Sequence, residues 1–119
     1  MINEDFLYYI WQNRLLLKSD LRLTNGDSIE ILHPGYRNFE SGPDFFNARL
    51  RIDNMIWAGN VEIHTKSSDW FKHHHTGDLS YDNIILHAVQ SEDVVIRRMD
   101  GSPIPTLIMN GCYPHQYIE

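Results

Sequence analysis

Residues 43–66 read PDFFNARLRIDNMIWAGNVEIHTK, and the way this stretch folds back on itself decides the architecture. Two runs rich in aromatic and β-branched residues, Phe45 to Ile52 and Met55 to Lys66, flank Asp53-Asn54, a two-residue turn signal. The pattern predicts two long antiparallel strands. Side chains along a strand alternate between faces. Phe46, Ala48, Leu50 and Ile52 are therefore expected on one face of the first strand. On the second, Glu62, His64 and Lys66 share a face, and Val61 and Ile63 take the other. The antiparallel return brings the end of the second strand beside the start of the first, which places Asp44 near Glu62 and His64. Gly59, in the middle of the second strand, predicts a bulge or a close backbone approach.

Upstream, residues 4–17 carry Phe6, Leu7, Ile10, Trp11 and Leu15 at helical spacing, with Glu4 and Asp5 suited to the N-terminal dipole. Leu21 to Leu32 reads as a hairpin around Asn25-Gly26, and His33 to Pro43 as a loop. Downstream, Ser67 to Asn83 is polar, aromatic and His-rich, with Ser68 as cap of a helix start. Ile84 to Val89 is an apolar run of the kind buried on both faces of a sheet. Val94–Arg98 and Ile104–Met109 flank Asp100-Gly101 as a last hairpin. The order predicts one α/β (α+β) domain, residues 1–119, with a central mixed sheet and an N-terminal helix. A β-rich sandwich is the alternative.

The chain has 119 residues, 42% hydrophobic and 22% charged, which is globular composition. A formal charge of -6 means that nucleic acid could be held only by a local basic strip, for which Arg49, Arg51, Lys66 and Lys72 are the candidates. A single cysteine, Cys112, excludes a disulfide framework within the chain and fits a reducing compartment. Met1 to Asp5 lacks the basic and apolar regions of a signal peptide, and no run approaches the roughly 18 apolar residues of a membrane span. The expected setting is cytoplasmic, with no membrane partner.

The chemistry-bearing residues start with Asp44 and Glu62. Two carboxylates about 4 Å apart repel by roughly 4 kcal/mol at an effective dielectric of 20. Such a pair persists where a cation bridges it or a proton is shared. Mg²⁺ (or Mn²⁺) suits it, being a hard ion held through one or two carboxylates. Lys72 to Asp78 is dense in His and Asp, which points toward Zn²⁺ as a second choice. Its spacing matches no zinc pattern and has no cysteines. His87, inside the apolar run, is either a hydrogen-bonded core residue or lines the cleft from its strand. His33 and Tyr36 precede Asp44 in the loop where substrate would approach. Asp69 reads as a helix-start carboxylate, and Trp57, Trp70 and Phe71 as core.

Pro43-Asp44 and Glu62-Ile63-His64, with seventeen residues between Asp44 and Glu62, resemble the PD-(D/E)XK nuclease superfamily. The resemblance implies a restriction-endonuclease-like α-β-β-β-α-β core. It further implies metal binding by Asp44, Glu62 and the backbone carbonyl of Ile63, and nucleic acid as substrate. His64 stands at the superfamily's lysine position as a catalytic residue, with Lys66 on the same face to replace it. His73, His75, His87 and Tyr36 become substrate-contact candidates. A second resemblance covers the whole chain. His33-Pro34-Gly35-Tyr36, Gly42 to Ala48, Trp57 to His64, Ser68-Asp69-Trp70, Tyr81-Asp82-Asn83 and Leu86-His87 resemble the N-terminal part of an uncharacterised bacterial family, DUF2851, which implies no activity. Its members are longer. Residues 110–119, with Tyr113 and Tyr117 lacking an evident core partner, are therefore expected to pack on a missing C-terminal domain or in a homodimer.

Three functions compete on these residues. A divalent-metal-dependent, nuclease-like phosphodiesterase requires Asp44 and Glu62 on one sheet face. A non-catalytic β-rich binding module requires them far apart. A His/carboxylate metallohydrolase requires His73 or His75 to converge with His64 and His87.

Overall fold

A computed structural model describes residues 2–17, 20–73 (His73 by its backbone alone) and 81–117. Helix α1 spans Glu4–Gln12. The Asn3 side chain caps it by accepting from the Phe6 N–H at 2.9 Å, and Glu4 and Asp5 occupy the first turn. It stops short of the predicted Leu17 because Arg14 takes a left-handed conformation, φ 57°. Leu7, Ile10 and Trp11 form its buried stripe.

The strands are β1 (Ile29–His33), β2 (Tyr36–Arg37), β3 (Phe45–Ile52), β4 (Met55–Lys66), β5 (Ile84–Ser91) and β6 (Thr106–Ile108). They form one sheet in the order β1-β3-β4-β5-β6, with β2 also on β3. β1, β2 and β4 run antiparallel to β3. β5 runs parallel to β4, and β6 parallel to β5. The β4–β5 crossover carries a 3-10 turn, Ser67–Asp69, and a short helix α2, Trp70–His73. The sandwich alternative is thereby replaced by a single mixed sheet behind an N-terminal helix. Among the described residues no helix is long and apolar enough to cross a membrane.

Two predicted hairpins are reduced. The first arm of the 21–32 hairpin is one bridge, Arg22 to Ser28, and the last hairpin is one bridge, Arg97 to Pro103. Thr106–Ile108 leaves its expected partner because β5 offers open backbone groups. The His87 N–H donates to Pro105 O at 2.8 Å and the Met109 N–H to Val89 O at 2.7 Å.

α1 covers one sheet face, burying Leu7, Ile10 and Trp11 against Phe45, Leu50, Val61, Ile63 and Leu86. A bulge lies in β3 between Phe45 and Ala48, where Asn47 has φ 58°. The extra residue shifts the pleat, so that Phe45 points inward and Phe46, expected inward, is exposed. On the other face Ile84, Ile96 and Ile104 gather Trp70 and Tyr81. Tyr113 finds a partner in its own domain: it is buried, packs edge-on to Phe6, and donates its hydroxyl to Gln90 at 3.0 Å. Tyr117 meets Tyr9.

Gly59 marks a close approach, as its position predicts. A Cβ there would collide with the Ile85 side chain and sit 2.9 Å from the Asn83 carbonyl. Gly59→Ala is expected to cost about 1–3 kcal/mol, the range of overpacked cores, as a lower denaturation midpoint in urea. An unchanged midpoint contradicts this close approach.

Candidate functional site

The loop before β3 delivers Asp44 in one orientation. The Asn38 side-chain amide donates to Ser41 O at 3.1 Å and Pro43 O at 2.8 Å, and the Asn38 N–H donates to Asp44 O at 2.9 Å. Asp44 then meets β4 through a reciprocal pair of bonds. Its Oδ2 accepts from the Ile63 N–H at 2.8 Å, while Glu62 Oε1 accepts from the Asp44 N–H at 3.2 Å. The two carboxyls also share a hydrogen bond with each other. The predicted meeting of Asp44 and Glu62 is thus present in the fold.

α1 supplies the other wall. The Tyr8 hydroxyl lies 2.9 Å from Glu4 Oε1 and 3.2 Å from Asp44 Oδ1. The one hydroxyl proton is shared between these two acceptors. Burial is the largest cause acting on Asp44, followed by the Glu62 charge, and together they push its carboxyl up to about 7. Burial also leads at Glu62 and, with the Glu4 charge, pushes it up to about 7 against the hydrogen bonds from Asp44. With both carboxyls raised, the pair shares a proton rather than carrying two negative charges. Burial and the Asp44 charge push the Tyr8 phenol up as well.

Behind Glu62 stands a buried imidazole pair. His64 Nε2 is 3.7 Å from Glu62 Oε2, and His64 Nδ1 is 2.7 Å from His87 Nε2. The parallel register that sets Glu62 beside His87 produces this contact. The Trp70 ring, from the crossover, meets the His87 ring edge-on at 5.1 Å. His64 is 2% exposed and His87 0%. His87 is therefore a core residue that bonds His64, not a side chain lining an open cleft.

Lys66, on the same face two residues on, is exposed at the far end of β4. The Ile63 N–H is engaged by Asp44, and its side chain is buried against α1. Tyr36 is exposed beside Phe46. The side chain of His73 and the whole of His75 lie outside the described residues. Asp69 accepts from the Lys66 N–H and the Thr65 hydroxyl, the turn-start role expected of it. The expected basic strip is divided. Arg51 pairs with Glu30 at 2.6 Å and Lys72 with Asp69 at 3.1 Å, while Arg49 and Lys66 are exposed.

Glu4 and Tyr8 are the site residues that sequence reasoning missed. Their spacing of four on a helix is a legible signal of neighbours, but nothing local says that Tyr8 reaches Asp44. Among the described residues no group of three or more His, Cys, Asp or Glu is arranged to hold a metal ion. The donors available for one are the Asp44–Glu62 carboxyl pair.

A family model described as a protein of unknown function (DUF2851) matches residues 4–119. No curated protein and no solved structure matches.

The raised carboxyls carry a stability signature. Ordinary values of 3.8 and 4.5 rise to about 7, so the folded chain binds these protons more tightly than the unfolded one. The associated stability is full below about 4 and is lost as pH rises through about 7. Asp44→Asn is permanently neutral at position 44 and lacks Asp44's share of this dependence, while Glu62 keeps its own. In EDTA, urea titrations should show wild-type stability falling relative to Asp44→Asn from pH 4 to 7 and levelling off above. A constant difference across that window would overturn the shared-proton assignment.

Proposed function

We propose a chemistry for this chain, which belongs to the DUF2851 family: divalent-metal-dependent hydrolysis of phosphodiesters, of nuclease type, centred on Asp44 and Glu62. One observation supports it above the others. The fold sets a half-buried carboxyl, Asp44, against a buried one, Glu62, and pushes both to about 7, so the pair calls for a proton or a cation between them. Mg²⁺ (or Mn²⁺) fits this donor set of hard oxygens better than Zn²⁺. It takes one or two carboxylates and keeps several waters, whereas a closed zinc site needs four protein ligands. Asp44, Glu62 and the Ile63 carbonyl would hold it. When bound, the ion supplies positive charge to the phosphoryl oxygens and activates a water.

The chain's own residues do the rest. The Ile63 N–H and the Tyr8 hydroxyl orient Asp44 from two sides. Glu4 holds Tyr8 in place. His64 faces the second oxygen of Glu62 and moves or holds a proton there. His87 constrains the His64 ring from behind. A neutral imidazole supplies no fixed positive charge, so that charge would have to come from a cation held by Asp44 and Glu62. The element order adds support: a helix, four strands in antiparallel pairing, a short helix and a parallel strand follow one another, close to the order the nuclease resemblance implies.

Mg²⁺ or Mn²⁺ should raise the melting temperature of wild type by mass action, and Asp44→Asn with Glu62→Gln should remove the response. A double variant that still responds places the ion elsewhere. For His64, burial means that Ala would cost stability, so His64→Gln is the informative change. It should lower metal-dependent cleavage of an oligonucleotide by about a hundredfold or more and leave the metal-induced melting shift in place. Undiminished cleavage by a folded His64→Gln would exclude the role.

A further inference from the structure

The His33-Pro34-Gly35-Tyr36 turn takes no part in the acid pair, yet it is built with unusual care. The Trp11 indole donates to the Pro34 carbonyl at 2.9 Å in a buried bond. The Gly35 N–H donates to His33 Nδ1 at 2.9 Å. Gly35 has φ 91°, and a Cβ on it would sit 2.7 Å from the Phe46 carbonyl, so the turn is pressed against β3. The product of these restraints is an outward-facing ring. Tyr36 is 64% exposed, and its cross-strand partner Phe46 is 38% exposed. The His33 ring lies 5.1 Å from that of Tyr36, and the exposed Arg49 stands opposite His33 in the β1–β3 register. Only Phe45 separates Asp44 from Phe46 along the chain, so this patch adjoins the acid pair.

We propose that Tyr36 and Phe46 form a stacking platform for unpaired bases of a single-stranded nucleic acid, with Arg49 facing its phosphates. This names the substrate class for the phosphodiesterase reading and rests on it. Tyr and Phe side chains have only two rotatable bonds, so stacking a base on them costs little ordering entropy. Every base has a π-face, but in a duplex those faces are already stacked on neighbours, so the platform selects unpaired segments. Charge sets the direction of the strand. The chain is acidic overall, at -6, and the phosphates are drawn to the Arg49 side while the bases cover the rings. A second copy of the chain would bring Arg49 against another Arg49-bearing patch, which like charges oppose.

The test is fluorescence anisotropy of the whole chain in EDTA with labelled oligothymidylate, oligouridylate and a blunt duplex of the same length. EDTA removes cleavage, so binding and hydrolysis succeed or fail separately. Wild type should bind single strands at least tenfold tighter than duplex, the ratio of thymidylate to uridylate assigning the preferred sugar. Tyr36→Ala and Phe46→Ser should each weaken single-strand binding by about ten- to a hundredfold. Tyr36→Trp should retain it, and an unchanged far-UV spectrum confirms folding. The proposal is overturned if single strand and duplex bind alike, if no oligonucleotide binds, or if Tyr36→Ala binds as wild type. It is also overturned if Tyr36→Ala dissolves a dimer seen by light scattering, which would make the patch a contact between copies.

Discussion

The bonds that the site depends on are two: Asp44 Oδ2 to the Ile63 N–H, and Glu62 Oε1 to the Asp44 N–H. They close the start of β3 onto the end of β4, just beyond the Phe45–Val61 pair where the β3–β4 register ends. Side-chain oxygens thus complete backbone hydrogen bonding that the end of the pairing would otherwise leave open. The same two bonds bring the carboxyls together in a place that burial makes costly for two negative charges. Structure and chemistry are therefore supplied by one arrangement. Its stabilising part is the reciprocal pair of hydrogen bonds, and its reactive part is the repulsion that a proton or cation must relieve.

From that clamp the contacts extend in both directions. Tyr8 and Glu4 reach it from α1. His64 and His87 carry it into the sheet, and Trp70 covers the far imidazole. Polar residues buried this deeply are tolerated because the parallel β4–β5 register aligns them. A helix from one side and a crossover from the other leave the start of β3 as the junction between them. Phe46 at the start of β3 and Tyr36 opposite it on β2 lie beyond that cover and remain in solvent.

Much of this was legible in residues 43–66. β3 and β4 begin and end where the alternation and the Asp53-Asn54 turn place them, and Asp44 meets Glu62 as antiparallel pairing requires. Phe46 was read as inward because alternation assumes an unbroken pleat. Only Asn47, a residue that tolerates positive φ, hints at the bulge. The parallel pairing of β6 on β5 was not legible, since Ile104–Met109 matches a local hairpin equally well and the winning partner is distant in sequence. Glu4 was read for the helix dipole and Tyr8 lies off the apolar stripe, and neither local fact says anything of Asp44. Tyr113 looked unpartnered for the same reason: its contact with Phe6 spans almost the whole chain.

The central claim is that Asp44 and Glu62 are one coupled unit whose proton a divalent cation replaces. Carboxyl ¹³C NMR of the full chain, with Asp and Glu side chains labelled and the two signals assigned by Asp44→Asn and Glu62→Gln, reads this directly. Without metal, the pair should titrate with coupled midpoints near 7. With saturating Mg²⁺, both signals should stay at ionised shifts down to well below that range. Two independent titrations near 4 that ignore Mg²⁺ would contradict the claim.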